Sequence, residues 1–164
     1  MKNLVNDYLG HINYYDKLDN LKNHIEREFS ESQIVYTYGA WDILHPGHIR
    51  FLARAKALGD YLIVGVISDK QIADFKGKDR PVQSEDERII TVGSLRMVDA
   101  VIRQEWYDPS EELKSLSRIN ILTKGDDWDY IPGTETIEDI GGKLVKLGYT
   151  KQYSTSSLVK KIKK

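Results

Sequence analysis

The chain carries, at residues 34–59, the stretch IVYTYGAWDILHPGHIRFLARAKALG, in which a strand pattern leads into a helix pattern. Residues 34–38 are mostly β-branched or aromatic, which is typical of a strand, and Gly39 follows them as a turn residue. Apolar residues then recur at helical spacing from Ile49 and stop at Gly59. The stretch therefore predicts a strand, a loop and a helix in succession.

A pair of histidines three residues apart opens the predicted helix. His45 and His48 would lie beside the unpaired backbone N–H groups of a helix N-terminus, where anions bind, and Gly47 would let a ligand approach the backbone. The alternatives are that the two histidines occur at this spacing by chance or that they bind zinc. Zinc usually takes three or four protein ligands, and the chain has no Cys and only His11 and His24 besides the pair. The pair therefore favours a phosphate-binding site for a nucleoside triphosphate.

Strand and helix patterns alternate along the chain from residue 34 onwards. Strands are predicted at 34–38, 61–67, 99–103, 119–123 and 143–147, and helices near 47–58, 69–75, 85–96, 110–117, 134–140 and 154–163. This alternation predicts an α/β fold, a Rossmann-like doubly wound parallel sheet of about five strands with helices on both faces. In such sheets ligands bind at the carboxyl ends of the strands.

The first 32 residues show a different pattern from the rest of the chain. Their apolar residues recur three or four apart, which predicts an amphipathic helical extension with a break near Gly10 or Asn20. Packing of this extension on its own core is favoured over a role in a dimer interface. We therefore divide the chain into an N-terminal helical extension, residues 1–32, and a catalytic domain, residues 33–164.

The composition limits the classes of function. The chain has 164 residues, no cysteine and a formal net charge of −1, with 40% hydrophobic and 30% charged residues. This is typical of a soluble globular protein and indicates no basic surface for nucleic acid. There is no apolar run near 18 residues and no signal-peptide pattern. We expect a cytoplasmic protein with neither a membrane nor a nucleic-acid partner.

Four motifs, in order, give the chain a family resemblance over residues 34–162. The segment 37–48 resembles the first motif of the cytidylyltransferase-like nucleotidyltransferases. The later motifs are Lys76-Gly77-Lys78 with Arg80-Pro81 and Glu87-Arg88, then Lys124-Gly125-Asp126-Asp127-Trp128, then Ser154-Thr155-Ser156. The resemblance implies a Rossmann-like enzyme that transfers a nucleotidyl group from a nucleoside triphosphate to a small phosphorylated acceptor and releases pyrophosphate.

The resemblance also implies a role for each matched residue. Catalytic roles fall to His45, His48, Lys76 and Arg88. Nucleotide binding falls to Tyr38, Gly39, Ala40, Trp41, Gly47, Lys124, Gly125, Asp126, Asp127, Trp128, Ser154, Thr155 and Ser156, and acceptor binding to Lys78, Arg80 and Tyr149. Asp42 is expected to orient its loop. The resemblance further implies a homodimer, and a Mg²⁺ ion that is carried by the triphosphate and needs few protein ligands.

Two resemblances within the chain indicate different nucleotides. The run Thr37-Tyr38-Gly39 and the doublet Asp126-Asp127 resemble glycerol-3-phosphate cytidylyltransferases. The runs Lys76-Gly77, Arg80-Pro81-Val82, Gly133 to Glu135 and Gly141-Gly142 resemble the adenylyltransferases that activate heptose 1-phosphate. Residues 149–156 lack the arginine that the glycerol-phosphate enzymes carry there.

We favour CTP, because the acidic doublet lies where contacts to the base are expected; the acceptor stays open among polyol, sugar and amino-alcohol phosphates. The alternative is ATP with a sugar 1-phosphate. A nucleotide-binding module without catalysis is a minor alternative. The aminoacyl-tRNA synthetase lineage, which shares the histidine signature, is disfavoured because the chain is short and lacks a K-M-S-K-S run.

Overall fold

The computed structural model describes residues 4–8, 10–148 and 153–162. In this part of the chain the strands are β1 (Tyr14–Tyr15), β2 (Ile34–Gly39), β3 (Tyr61–Ile67), β4 (Ala100–Gln104), β5 (Ile121–Gly125) and β6 (Lys143–Leu147). The helices are α1 (Leu18–Glu28), α2 (Pro46–Lys56), α3 (Asp69–Lys76), α4 (Glu85–Gly93), α5 (Ser110–Leu116), α6 (Thr134–Asp139) and α7 (Thr155–Ile162), with a 3₁₀ helix at Leu4–Tyr8.

The described strands form one parallel sheet in the order β1-β4-β3-β2-β5-β6. The order reverses at β2, which has β3 on one side and β5 on the other. This confirms the predicted Rossmann-like α/β fold, with one strand more than the five predicted. Because all strands are parallel, the loops that follow β2, β3, β4 and β5 converge at one edge, and β2 is the switch point where such sheets bind ligands.

Two apolar layers cover the two faces of the sheet. On one face Tyr36 and Ile63 pack with side chains from α1, α5 and α6. On the other face Val35 and Val64 pack with side chains from α2 and α4. Every residue of β3 is buried, because neighbouring residues of this strand point into different layers. Burial on both faces explains why the central strands are continuous apolar runs in the sequence.

The N-terminal segment is not the helix that its periodicity predicts between residues 13 and 15. Here the chain forms β1, in which Tyr14 pairs with Val101 of β4, and the backbone N–H of Val101 donates to the Asn13 carbonyl at 2.9 Å. Pairing with the open edge of β4 therefore overrides the local helical pattern. The preferred packing on the chain's own core is confirmed, because Leu21 and Ile25 of α1 are buried in it. A domain boundary at residue 32 stays a prediction.

Within the described ranges, no helix has the length and apolar character needed to cross a bilayer.

Candidate active site

A cleft of about 280 Å³ lies at the carboxyl ends of β2 and β5. Residues of all four motifs line this cleft, and Lys76 is the residue that the second motif contributes. The lining residues are Tyr38, Gly39, Ala40, Trp41, Asp42, His45, Gly47, His48, Phe51, Lys76, Lys124, Gly125, Asp127, Trp128, Gly148, Tyr153, Ser154, Thr155 and Ser156. Residues far apart in the chain are therefore brought to the edge of the sheet where the sequence predicts a ligand.

The loop between β2 and α2 has a strained backbone. Trp41 and Ile43 have φ values of 53° and 49°, in the left-handed region that is costly for a β-branched residue such as Ile43. The backbone N–H of Ile43 donates to the Gln83 side chain at 2.8 Å. Contacts with a distant segment therefore hold this loop, and Gln83 carries no sequence signal for that role.

Asp42 forms the second link between the loop and the same segment. Its buried carboxylate accepts hydrogen bonds from the Arg80 guanidinium at 2.7 and 3.0 Å, and from the backbone N–H groups of Val82 and Gln83. These donors all belong to the protein, so the hydrogen bonds of the Asp42 carboxylate stabilise the conformation of the loop. The geometry agrees with the expected orienting role of Asp42.

The two histidines stack at the start of α2. Their ring centroids are 3.8 Å apart, and His45 is the N-cap, whose Nδ1 accepts from the backbone N–H of His48 at 3.3 Å. Burial, then the His45 and Lys76 charges, lowers the pKa of His48 to about 3, and burial lowers the pKa of His45. Both rings are therefore largely neutral at pH 7, and a neutral imidazole carries one N–H group that can donate to a ligand.

His48 also has an unsatisfied polar atom. Its Nδ1 is buried and has no hydrogen-bond partner among the described residues. Buried polar atoms are normally paired, so an unpaired one in a cleft calls for a ligand or water. A Cβ at residue 47 would approach the His45 ring to 3.0 Å and the Tyr153 Cβ to 3.2 Å. The glycine thus permits the close approach of helix and rings.

Lys124 places a second polar group deep in the cleft. Its Nζ donates to the Tyr38 carbonyl at 2.6 Å and lies 3.7 Å from the Tyr38 ring centroid and 5.5 Å from that of Trp128. Burial, with a smaller effect of the Lys76 charge, lowers the pKa of Lys124 to about 7. The amine is therefore largely neutral at pH 8 and can gain its charge when an anion binds.

Nucleotide binding at pH 8 is expected to take up as much as one proton. A polyphosphate near Lys124 stabilises the ammonium form, which raises a pKa that is about 7 in the free protein. Calorimetric titration with nucleoside triphosphate in two buffers of different ionisation enthalpy measures the uptake. Lys124→Met should reduce it, whereas Lys160→Met, at an exposed position of α7, should not. Equal uptake in all three proteins would show that Lys124 does not change its protonation state when the nucleotide binds.

The hydroxyl groups at the start of α7 have different partners. Ser154 Oγ accepts from the backbone N–H of Ser157 at 3.2 Å, which is an N-cap contact, and Thr155 Oγ1 donates to the Asp42 carbonyl at 2.8 Å. Ser156 lines the cleft with them. The starts of α7 and α2 thus both lie at the cleft, where the positive ends of their helix dipoles favour an anion.

Arg88 lies behind the cleft wall instead of in its lining. The side chain is fully buried and donates to the carbonyls of Gln83, Ala40 and Ile67 and to Asp69, at distances of 2.5 to 3.2 Å. Every one of its guanidinium nitrogens has a protein partner. This geometry assigns Arg88 to holding the ends of β2 and β3 together with α4, so direct catalysis by Arg88 stays a prediction without support from its position.

Two of the predicted acceptor residues, Lys78 and Arg80, are also outside the lining. Arg80 is paired with Asp42, and Lys78 is exposed on the connection between α3 and α4. Tyr149 lies outside the described residues. Among the described residues, Asp127 but not Asp126 lines the cleft, and Asp126 lies beside Gly148. Phe51 and Tyr153 line it without having been predicted, because a lone aromatic residue beside a motif carries no distinguishing pattern.

A parallel α/β sheet with a polar cleft at its switch point, lined by neutral histidines and two helix N-termini, defines a nucleotide-binding protein of the Rossmann-like class. The family model described as cytidylyltransferase-like matches residues 36–160, so the chain belongs to this family of nucleotidyltransferases. This confirms the resemblance stated from the four motifs.

Several curated relatives share the name bifunctional protein HldE. The protein of Gluconobacter oxydans (strain 621H) is 36% identical over 131 residues, which is 79% of this chain and 27% of that protein. The protein of Pseudomonas putida (strain F1) is 37% identical over 149 residues, which is 90% of this chain and 30% of that protein. The chain thus spans less than a third of the length of these relatives.

Two solved structures share the fold. The lipopolysaccharide core biosynthesis protein from Thermoplasma volcanium superposes with a TM-score of 0.63 at 30% identity, covering 73% of this chain and 98% of that one. The pantoate-beta-alanine ligase from Francisella tularensis, solved in complex with beta-gamma ATP and beta-alanine, superposes with a TM-score of 0.56 at 14% identity, covering 93% of this chain and 77% of that one. The second likeness is evidence for the fold alone.

Proposed function

We propose that this chain transfers an adenylyl group from ATP to a sugar 1-phosphate of the heptose 1-phosphate type, with release of pyrophosphate. The observation that carries the proposal is the group of relatives named bifunctional protein HldE, at 36–39% identity. These relatives favour the resemblance to adenylyltransferases over the resemblance to cytidylyltransferases. The motifs around Lys76-Gly77 and Arg80-Pro81-Val82 point in the same direction. CTP, the nucleotide favoured from the sequence, is therefore less well supported than ATP.

The geometry of the acidic doublet also weakens the case for CTP. That case depends on Asp126 and Asp127 reading the edge of the base. In the described residues Asp127 lines the cleft and Asp126 does not. A single carboxylate beside Lys124 is compatible with either nucleotide, so the doublet no longer favours CTP.

The cleft supports an in-line displacement without a covalent enzyme intermediate. A phosphate oxygen of the acceptor attacks the α-phosphorus, a new P–O bond forms, and the bond to the bridging oxygen of the leaving pyrophosphate breaks. Neutral His45 and His48 donate N–H groups to the phosphate oxygens, while the N-termini of α2 and α7 add backbone donors. Lys76 and Lys124 supply cationic charge. Catalysis then consists of positioning and charge stabilisation.

A magnesium ion fits this cleft only in the form in which triphosphates carry it. The described residues contain no group of three or more His, Cys, Asp or Glu that could hold a metal, and the Asp42 carboxylate is occupied by Arg80 and two backbone N–H groups. Mg²⁺ typically keeps several waters and binds phosphate oxygens with few protein ligands. When bound, the ion would neutralise charge on the triphosphate.

Pyrophosphate release with each of the four nucleoside triphosphates and a panel of acceptors tests the proposal. The panel contains heptose 1-phosphate, glycerol 3-phosphate, ribitol 5-phosphate, phosphocholine and phosphoethanolamine, each with Mg²⁺. We expect turnover with ATP and the sugar 1-phosphate. Turnover with CTP and a polyol or amino-alcohol phosphate would replace the proposal with the cytidylyltransferase alternative. Binding of nucleotide without turnover of any pair would favour the non-catalytic module. A homodimer and a cytoplasmic location stay predictions.

A further inference from the structure

A row of three aromatic side chains begins in the lining of the cleft at Trp128 and continues outside that lining through Tyr107 and Phe75. Phe75 and Tyr107 have ring centroids 4.3 Å apart, and Tyr107 and Trp128 have centroids 5.8 Å apart. The three residues come from the end of α3 and from the loops after β4 and β5. We call them the aromatic row. Three separate connections therefore contribute one ring each to a continuous surface.

Two rings of the aromatic row are exposed to solvent, and Tyr107 between them is half-buried. Phe75 is 64% exposed and Trp128 is 37% exposed, although large aromatic side chains are normally buried. A contiguous exposed apolar surface rimmed by polar groups is characteristic of binding sites. Ligand sites typically combine aromatic walls with a few placed polar groups. The row meets this description, because Lys76 follows Phe75 in the chain and Lys124 lies 5.5 Å from the Trp128 ring.

Two rings of the row lie on the β3 and β4 side of the sheet, and Trp128 lies on the β5 side, in the lining of the cleft. Phe75 and Tyr107 follow β3 and β4, which are on one side of the switch point, whereas α7 follows β6 on the other side. The histidines at the start of α2 follow the central strand β2. A triphosphate held between the starts of α2 and α7 leaves the side of β3 and β4 for the second substrate. Lys76 lines the cleft where these two halves meet.

Polar groups beside the row suit a ligand with hydroxyl groups. Burial, then the charge of Asp127, raises the pKa of Tyr107 to about 12, so its phenol stays a hydrogen-bond donor at any physiological pH. The Asp127 carboxylate lines the cleft and accepts hydrogen bonds. Aromatic faces with hydroxyl-binding groups at their edge match the ring of a sugar, whose C–H face is apolar and whose rim is polar.

We propose that Phe75, Tyr107 and Trp128 form the acceptor subsite, an aromatic platform that stacks on the ring of a sugar phosphate while Lys76 receives its phosphate. The inference rests on the proposed function in taking a sugar phosphate as acceptor. It extends that function by naming the residues that select a ring over an open-chain polyol.

Steady-state kinetics of Phe75→Ala test the platform with whichever nucleotide and sugar phosphate the wild-type protein turns over. We expect the KM for the sugar phosphate to rise about 10-fold, within the range of an aromatic contact, and the KM for the nucleotide to change less than twofold. Phe75→Tyr should restore the acceptor KM. Trp106→Ala is the matched control, since Trp106 is 53% exposed and has no ring contact with the row in the described structure. Phe75 is exposed, so its replacement should leave the fold intact.

The possible results of this experiment test the aromatic platform and the proposed function separately. A rise in the nucleotide KM with an unchanged acceptor KM would overturn the proposal and make the row a base-stacking surface. No change in either KM would also overturn it. If the wild-type protein turns over no sugar phosphate, the proposed function fails, and calorimetric titration with mannose 1-phosphate and inorganic phosphate then tests the platform alone. Tighter binding of the sugar phosphate that Phe75→Ala abolishes would support the platform, and equal binding of the two probes would overturn it.

Discussion

Replacement of His48 by alanine is expected to lower kcat for pyrophosphate release by roughly a hundredfold or more, the usual cost of removing one donor to a developing oxyanion. His48 lies at the start of α2 in the lining of the cleft, so we expect its imidazole N–H to donate to a phosphate oxygen there. The KM for nucleotide should change much less than kcat, because the donor acts mainly in the transition state.

His11→Ala is the matched control for this substitution. His11 is an exposed histidine of the N-terminal segment, far in sequence from the cleft, and its loss should leave kcat unchanged. The thermal midpoints of the two variants show whether His48→Ala is folded. A fall in kcat of less than threefold in a folded His48→Ala protein would contradict a catalytic role for the pair.

The pH profile gives an independent readout of the same pair. The pKa of His48 is about 3, so its ring is already neutral well below pH 6.5. A ring that acts as a neutral donor gives no loss of rate as the pH rises through 6.5. A falling limb near pH 6.5 that disappears in His48→Ala would instead show that the protonated imidazole is the active form.

Replacement of Arg88 by methionine is expected to lower the free energy of unfolding by roughly 3 kcal/mol, as measured by urea denaturation. The fully buried guanidinium donates to three backbone carbonyls and to Asp69. Its loss leaves those carbonyls without a donor in the protein interior, where an unmade hydrogen bond costs the full desolvation of the group. Arg88→Lys should recover only part of the loss, since one ammonium group cannot reach all of these partners.

The same variant distinguishes positioning from direct catalysis. The exposed Arg96→Met is the matched control for removing a positive charge, and it should leave stability within about 0.5 kcal/mol of wild type. Loss of stability in Arg88→Met supports the positioning role. Unchanged stability with a large fall in kcat would restore the catalytic role that the sequence resemblance implies.

Local patterns were sufficient to predict most of the sheet. The predicted strands at 61–67 and 143–147 coincide with β3 and β6, and the strand predicted at 34–38 differs from β2 by one residue. These segments are recognisable because β-branched and aromatic side chains suit a sheet covered on its faces. The short strand β1 was not predicted, because its extended conformation depends on pairing with β4. Tyr14 pairs with Val101, 87 residues further along the chain, and local periodicity does not reveal a contact at that separation.

Many residues that line the candidate site could be predicted from the sequence, but the contacts that each side chain makes could not. The histidine pair and the start of α7 were expected at the cleft, and they line it. Two arginines in motifs look alike in the sequence, yet Arg80 binds Asp42 and Arg88 binds backbone carbonyls. Only the fold determines whether an arginine faces a ligand or the protein. The same holds for Asp126 and Asp127, adjacent residues of which one lines the cleft in the described structure.

The two-residue strand β1 determines how this sheet ends. It covers the outer side of β4, whose Val101 N–H would otherwise be an unpaired donor facing solvent. A chain shortened to residues 33–164 would present β4 as an open edge, and open edges of sheets recruit strands from other molecules. We therefore expect the residues of β1 to limit pairing of β4 with strands of other molecules, and a shortened chain that begins at the first motif to associate more readily.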